Sequence, residues 1–235
     1  MGGDFSGILY DASTWVVPVL LAITLHEASH GYVAWRLGDD TAYRLGRVTF
    51  NPFKHVDPFG TVILPTVLFI TGGFIFGWAK PVPVAFGRLR HPRRDMILVA
   101  AAGPASNLAL ATVSALAIHL VTFASPVLAA WLIKTLFHSI LINLVLAVLN
   151  MLPLPPLDGG RVAVGLLPRP LAQRLARLER WGLLILIGGL FVLPFLGDKV
   201  GLDLDLFRWL ILAPISWLWP RSASETDREI GRAHV

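Results

Sequence analysis

The stretch "LAITLHEASHGYVAW", residues 21–35, sets three titratable side chains in a run that is otherwise typical of a membrane-spanning helix. His26 and His30 are one helical turn apart, so a helix presents both on one face, within reach of a single metal ion. Glu27 lies beside them. An ionised carboxylate at the bilayer centre costs about 2.5–3.5 kcal/mol on insertion scales, a cost that a nearby cation offsets. These residues therefore indicate a metal centre inside the membrane.

The composition is that of a membrane protein. The chain has 235 residues, of which 55% are hydrophobic and 15% charged, and its mean hydropathy is +0.66. A helix needs roughly 20 apolar residues to cross a bilayer. Apolar stretches lie at about 15–35, 61–78, 96–123, 127–152, 181–197 and 206–219. We therefore expect an all-α polytopic membrane protein with five transmembrane helices, or six in the alternative count.

The domain organisation follows from the same pattern. We expect a single membrane domain over residues 1–220, with its core at 15–160, and a charged cytoplasmic tail at 221–235. The N-terminal segment lacks the basic residues of a cleavable signal peptide, so the first apolar helix is expected to be retained. The chain has no cysteine. Any metal must then be held by His, Asp or Glu.

Basic residues predict which loops are cytoplasmic. Seventeen of the twenty Lys and Arg residues fall in four clusters, at 36–54, at 80–94, at 161–180 and from 221 onward. The positive-inside rule places these clusters in the cytoplasm and the N-terminus outside. Segment 61–78 lies between two basic loops, so it is expected to re-enter on the same face, against protein or a water-filled cavity. Anionic lipid headgroups explain the basic clusters better than nucleic acid does.

A catalytic zinc ion usually has three protein ligands and one open position, so a third ligand is needed. Candidates outside the first helix are Asp57, Asp95, Asp158, His55, His119 and His138. Asp158 differs from the others because three prolines break the preceding helix and two glycines follow it. The stretch "PPLDGG" is also typical of an ordinary solvated turn, so both interpretations of Asp158 remain open at this level.

Two motifs together identify a family. "HEASH" at 26–30 and "NMLPLPPLDGGR" at 150–161 resemble the site-2 protease family of intramembrane zinc metalloproteases. "FGWAKPVPV" at 76–84 and "AAGPASN" at 101–107 are similar to its compact bacterial and archaeal branch, without PDZ or CBS domains. The resemblance extends over residues 22–167. It implies a protein of a prokaryotic cell membrane, and the basic clusters place its N-terminus outside and its C-terminus in the cytoplasm.

The resemblance also implies roles for individual residues. One zinc ion per chain would be bound by His26, His30 and Asp158, with Glu27 as the catalytic base. The implied activity is hydrolysis of peptide bonds within or near transmembrane segments of membrane-protein substrates, as in regulated intramembrane proteolysis. Asn107 and Asn143 carry over as substrate-binding or oxyanion-stabilising residues. Buried amides in a helix bundle are equally well explained as interhelical hydrogen-bonding groups.

Two further segments suggest how a substrate is handled. "WAKPVPVAF" at 78–86 alternates as a strand does, and its two prolines would leave one edge free for an unwound substrate, with Val82 and Val84 on that edge. A proline-rich loop is the equally supported alternative. Helices within 181–219 are expected to form a lateral gate, because Gly188, Gly189 and Pro194 weaken helix continuity.

Two rival function classes remain. Intramembrane His, Glu and Asp also line ion pathways, so a metal-ion transporter is one alternative. A non-catalytic membrane scaffold with a structural zinc is the other. Glu27 between the histidines favours a base over a transport ligand, and only three protein ligands favour an open catalytic position. The sequence carries no signal for the oligomeric state.

Overall fold

Three long apolar helices form the bundle that carries the candidate site. The computed structural model describes residues 5–63, 66–67, 77, 79–206 and 208–213. Within these residues the chain is helical and contains no β-strand. The long helices are α1 (Phe5–Arg36), α3 (Pro92–Ile118) and α4 (Pro126–Asn150), and each packs against the other two. The all-α prediction is confirmed.

Short helices lie between and after the long ones. Helix α2 (Thr41–Arg44) follows α1. After α4, the proline-rich turn leads into α5 (Asp158–Leu166) and then α6 (Arg169–Arg177). Helix α5 packs against α3, where a Cβ on Gly165 would lie 2.4 Å from Cγ1 of Ile97. This close approach fixes the position of the helix that begins at Asp158.

Four described helices are long and apolar enough to cross a membrane. They are Leu9–Arg36, Pro92–Ile118, Pro126–Asn150 and Glu179–Val200. Most of the apolar stretch 61–78 and half of the stretch 206–219 lie outside the described residues. The count of five or six spans and the re-entrant course of 61–78 therefore stay predictions, as does the tail at 221–235, which is also outside the described residues.

The segment after the second apolar stretch does not pair as a strand in the part of the chain that the structure describes. Its N–H groups are used elsewhere: that of Lys80 donates to the carbonyl of His55 at 2.9 Å, and that of Ala85 to Asp39 at 2.6 Å. Arg47 holds the segment from the other side through the carbonyl of Lys80 at 2.7 Å. The expected small β element is thus found here as an irregular segment clamped by side chains and loop backbone.

The chain divides into two compact units, residues 1–179 and 180–235. In the second unit, helix α7 (Glu179–Ile187), which starts one residue before it, continues through a π-helical turn at Gly188–Val192 into α8 (Leu193–Val200). Gly201 ends α8 in the left-handed region, with φ at 72°. The irregular turn lies where glycines were expected to weaken the helix, and the gating role of 181–219 stays a prediction.

Candidate metal centre

Three side chains from two helices converge on one point. Helix α1 supplies His26 and His30, and Asp158 is the first residue of α5. Oδ2 of Asp158 lies 3.2 Å from Nε2 of each histidine, and the two Nε2 atoms are 3.1 Å apart. All three residues are buried. Among the described residues, this is the group of His and acidic side chains arranged to hold a metal ion.

The opposite nitrogens of the two imidazoles face hydrogen-bond acceptors on α3. Nδ1 of His30 lies 2.7 Å from the carbonyl oxygen of Val99, and Nδ1 of His26 lies 2.6 Å from Oδ1 of Asn107. A carbonyl can only accept, so Nδ1 of His30 carries the proton and its Nε2 presents a lone pair. Metal-bound histidines are typically held in this way by their second nitrogen.

The convergent atoms fit a zinc ion. Oδ2 of Asp158 is buried, has no hydrogen-bond donor among the residues that the structure describes, and faces imidazole nitrogens. Several acceptor lone pairs within 3.2 Å of one another repel unless a cation lies between them. Two imidazole nitrogens and one carboxylate oxygen are a donor set that zinc takes in catalytic sites, with a fourth position left for water.

Glycines allow the site to close. A Cβ on Gly103 of α3 would lie 2.4 Å from Nε2 of His30, so a larger residue would intrude on the cluster. A Cβ on Gly159 would lie 2.2 Å from the carbonyl oxygen of Met151, and one on Gly160 would lie 2.2 Å from the backbone nitrogen of Pro155. Only glycine permits the start of α5 to fold against the proline-rich turn and deliver Asp158.

The carboxylate of Glu27 is hydrogen-bonded to the segment that follows residue 79. The backbone N–H of Val82 donates to Oε2 of Glu27 at 2.7 Å, and Val82 itself is buried. A Cβ on Gly31, one turn further along α1, would lie 3.1 Å from Cγ1 of Val82, so the segment lies directly against this face of the helix. Val84 packs into the small core formed by Ala34, Leu89 and Val99.

The remaining candidate ligands have other partners. His55 is buried in a loop outside the spanning helices, and this burial lowers its pKa, with the Thr49 hydrogen bond opposing the shift. Asp57 accepts hydrogen bonds from the N–H groups of Phe59 and Gly60, and Asp95 accepts one from the N–H of His91. The ring of His138 stacks on Trp15 and contacts the carbonyl of Thr14, and the backbone N–H of His119 donates to the carbonyl of Leu116 at the end of α3. None of these contacts is with the His26, His30 and Asp158 cluster.

Asn107 and Asn143 are fully buried between helices. Asn107 contacts His26, and its Nδ2 donates to Oδ1 of Asn143 at 2.8 Å. These contacts favour the interhelical interpretation that the sequence left open. Sequence reasoning missed the part played by Val99 and Gly103 of α3. A glycine before a proline in an apolar helix, four residues ahead of an asparagine, was the available signal for Gly103.

Comparison with known proteins finds one family profile and several relatives. The profile of peptidase family M50 matches residues 117–193, which include Asp158. A candidate zinc metalloprotease named YwhC, from Bacillus subtilis (strain 168), is 41% identical over 189 residues, covering 79% of this chain and 82% of that protein. No solved structure matches the chain.

A second relative is a candidate zinc metalloprotease named Rip2, from Mycolicibacterium smegmatis (strain ATCC 700084 / mc(2)155). It is 34% identical over 171 residues, covering 72% of this chain and 62% of that protein. The Rip2 of Mycobacterium tuberculosis (strain ATCC 25618 / H37Rv) is 35% identical over 179 residues, covering 75% of this chain and 66% of that protein. With membrane-spanning helices and these relatives, the chain belongs to peptidase family M50, the site-2 protease family of membrane zinc proteases.

Proposed function

We propose that the protein is an intramembrane endopeptidase that cuts peptide bonds within or near transmembrane segments of other membrane proteins. The observation that carries the proposal is the convergence of Asp158 with His26 and His30, beside the anchored carboxylate of Glu27. One zinc ion per chain would be held by His26, His30 and Asp158. When bound, zinc supplies Lewis-acid activation of a water and of the scissile carbonyl.

Glu27 acts as the general base and then as the general acid. Its carboxylate takes a proton from the attacking water and gives that proton to the leaving amine. The hydrogen bond from Val82 holds Oε2, which leaves Oε1 as the oxygen for proton transfer. An anchored carboxylate loses little conformational freedom in the transition state, because its orientation is set beforehand.

Residues 82 and 84 form the edge on which a substrate is received. Val84 follows two residues after Val82, so a locally extended backbone would direct its N–H and C=O groups to the side of Val82 that faces Glu27. An unwound substrate that pairs there is brought beside the base by main-chain hydrogen bonds. The N–H of Val82 already donates to Glu27, but the N–H of Val84 and the carbonyls of both residues have no hydrogen-bond partner among the residues that the structure describes, and these groups would bind the substrate.

The protein is oriented with its N-terminus outside and its C-terminus in the cytoplasm of a prokaryotic cell. The basic clusters around the α1–α2 turn, the N-terminus of α3 and α6 support this orientation. The chain has no cysteine, so single cysteines report sidedness without background. In intact cells, Asp11→Cys should react with an impermeant maleimide and Arg174→Cys should not; the reverse pattern would overturn the orientation.

The functional test is cleavage in a purified system. Wild-type protein in liposomes should cut a single-span substrate within or near its span, and Glu27→Gln should not. A transporter would instead move metal across the liposome membrane without a peptide substrate. A scaffold would retain its cellular effect in Glu27→Gln. Metal flux without cleavage would overturn the protease proposal, and normal cleavage by Glu27→Gln would overturn the role of Glu27 as the base.

A further inference from the structure

A chain of buried amides runs from helix α4 to His26. Nδ2 of Asn143 donates to the carbonyl of Ser139 at 2.8 Å, and its Oδ1 accepts from Nδ2 of Asn107 at 2.8 Å. Oδ1 of Asn107 then meets Nδ1 of His26 at 2.6 Å. Both asparagines are 0% exposed, so water does not reach these groups. This series of hydrogen bonds ends at His26, and neither asparagine is one of the three side chains that converge on the metal centre.

The direction of this chain is fixed at its far end. A backbone carbonyl only accepts, so Asn143 must turn its amide nitrogen to Ser139 and its oxygen to Asn107. Asn107 must then turn its nitrogen to Asn143, and that nitrogen also lies 3.3 Å from the carbonyl of Ala22. Its oxygen is left for His26. The reversed amide orientation would place nitrogen against nitrogen at Asn107 and oxygen against oxygen at Ser139.

We propose that Asn107 and Asn143 are positioning residues which hold the proton of His26 on Nδ1 and direct its Nε2 to the metal. This inference rests on the proposed function only in taking His26 as a metal ligand. The carbonyl of Val99 does the same for His30 without a side chain. The two ligands therefore differ in what holds them. His30 contacts a backbone carbonyl, which a side-chain substitution does not remove, whereas His26 contacts a side-chain amide, which a substitution can remove.

Metal affinity tests the proposal without reference to proteolysis. Loss of an outer partner of a metal-bound histidine typically weakens binding by about 10- to 100-fold. Asn107→Leu should therefore lower zinc affinity in a chelator competition by about that factor and shift the ligand-field spectrum of the cobalt-substituted protein. Asn107→Asp keeps an acceptor for His26 but places its other oxygen against the oxygens of Asn143 and Ala22, so it should bind zinc more tightly than Asn107→Leu without reaching the wild-type affinity. Asn143→Leu, which does not touch His26, should weaken binding less.

A matched control separates positioning from packing. Ser114 on α3 donates to or accepts from Ser139 on α4 at 2.8 Å, so it joins the same two helices away from the metal centre. Ser114→Ala should leave zinc affinity and the cobalt spectrum unchanged. Equal zinc affinities in Asn107→Leu, Ser114→Ala and wild type would overturn the proposal, as would a folded Asn107→Asp protein that binds zinc no more tightly than Asn107→Leu.

A measurement on the wild-type chain covers the case in which Asn107→Leu does not fold. With ring-¹⁵N histidine in the zinc-loaded protein, the Nδ1 proton of His26 should be protected from exchange with water, because its acceptor is buried. His26→Ala assigns the signal. A His26 Nδ1 proton that exchanges as fast as that of an exposed histidine would contradict the amide chain, even if zinc binding and cleavage were both normal.

Discussion

Val82 and Glu27, which lie 55 residues apart in sequence, are joined by a 2.7 Å hydrogen bond from a backbone N–H to a carboxylate oxygen. A main-chain donor aimed at a proposed catalytic base links the segment that would receive substrate to the group that would activate water. The same backbone is clamped at Lys80 and Ala85, so the position of the N–H is set by several contacts.

Proline substitution separates two roles of this segment. Val84→Pro removes an N–H that has no acceptor among the described residues, so it should impair substrate cleavage while zinc content stays that of wild type. Val82→Pro also removes the hydrogen bond to Glu27, so it should lower the cleavage rate of a saturating substrate as well. Steady-state kinetics in detergent provide the comparison. Wild-type activity in Val84→Pro would contradict strand addition at this edge.

Gly103 should be intolerant of even one methyl group. In Gly103→Ala the new Cβ would lie 2.4 Å from Nε2 of His30, which displaces the imidazole or helix α3. We expect zinc affinity to fall by tenfold or more, on the order of 1.4 kcal/mol. Gly87→Ala is the control, since a Cβ there has no neighbour within 4 Å. Chelator competition measures both, and undiminished zinc affinity in Gly103→Ala would show that α3 does not confine the cluster.

Asp39 should contribute more to the thermal stability of the protein than its neighbour Asp40 does. Asp39 is fully buried and accepts from the N–H of Ala85 and from the backbone and hydroxyl of Thr41. Replacing a buried, charge-assisted acceptor typically costs about 1.5–3 kcal/mol, so Asp39→Asn should lower thermal stability in detergent. Asp40→Asn breaks a partly exposed pair with Arg44, worth at most about 1 kcal/mol. Equal melting temperatures for the two variants would contradict this assignment.

The sequence predicts the parts of this site that depend on local spacing. His26 and His30 are found on one helix face because four residues make one turn, and Glu27 follows from the same spacing. Asp158 was ambiguous because Asp, Pro and Gly are also turn residues, and only the resemblance to a family favoured it as a ligand.

Contacts between distant segments were not predictable in the same way. Which helix faces the imidazoles depends on tertiary packing, so the contact between the Val99 carbonyl and His30 could not be predicted from the sequence. Every residue except proline has a backbone N–H, so the sequence does not indicate that the N–H of Val82 in particular donates to Glu27. The strand expected at 78–86 was not found in the described residues, because Asp39, Glu27 and the His55 carbonyl take the N–H groups that a partner strand would need.

The most direct measurement is zinc content and cleavage by the purified wild type, Glu27→Gln and Asp158→Ala, assayed side by side on a single-span substrate. We expect about one zinc per chain and cleavage in the wild type. Glu27→Gln should keep the zinc and lose at least 100-fold in rate, about what general base catalysis contributes. Asp158→Ala should lose both. Cleavage at the wild-type rate by Glu27→Gln, or full zinc retention in Asp158→Ala, would contradict the account.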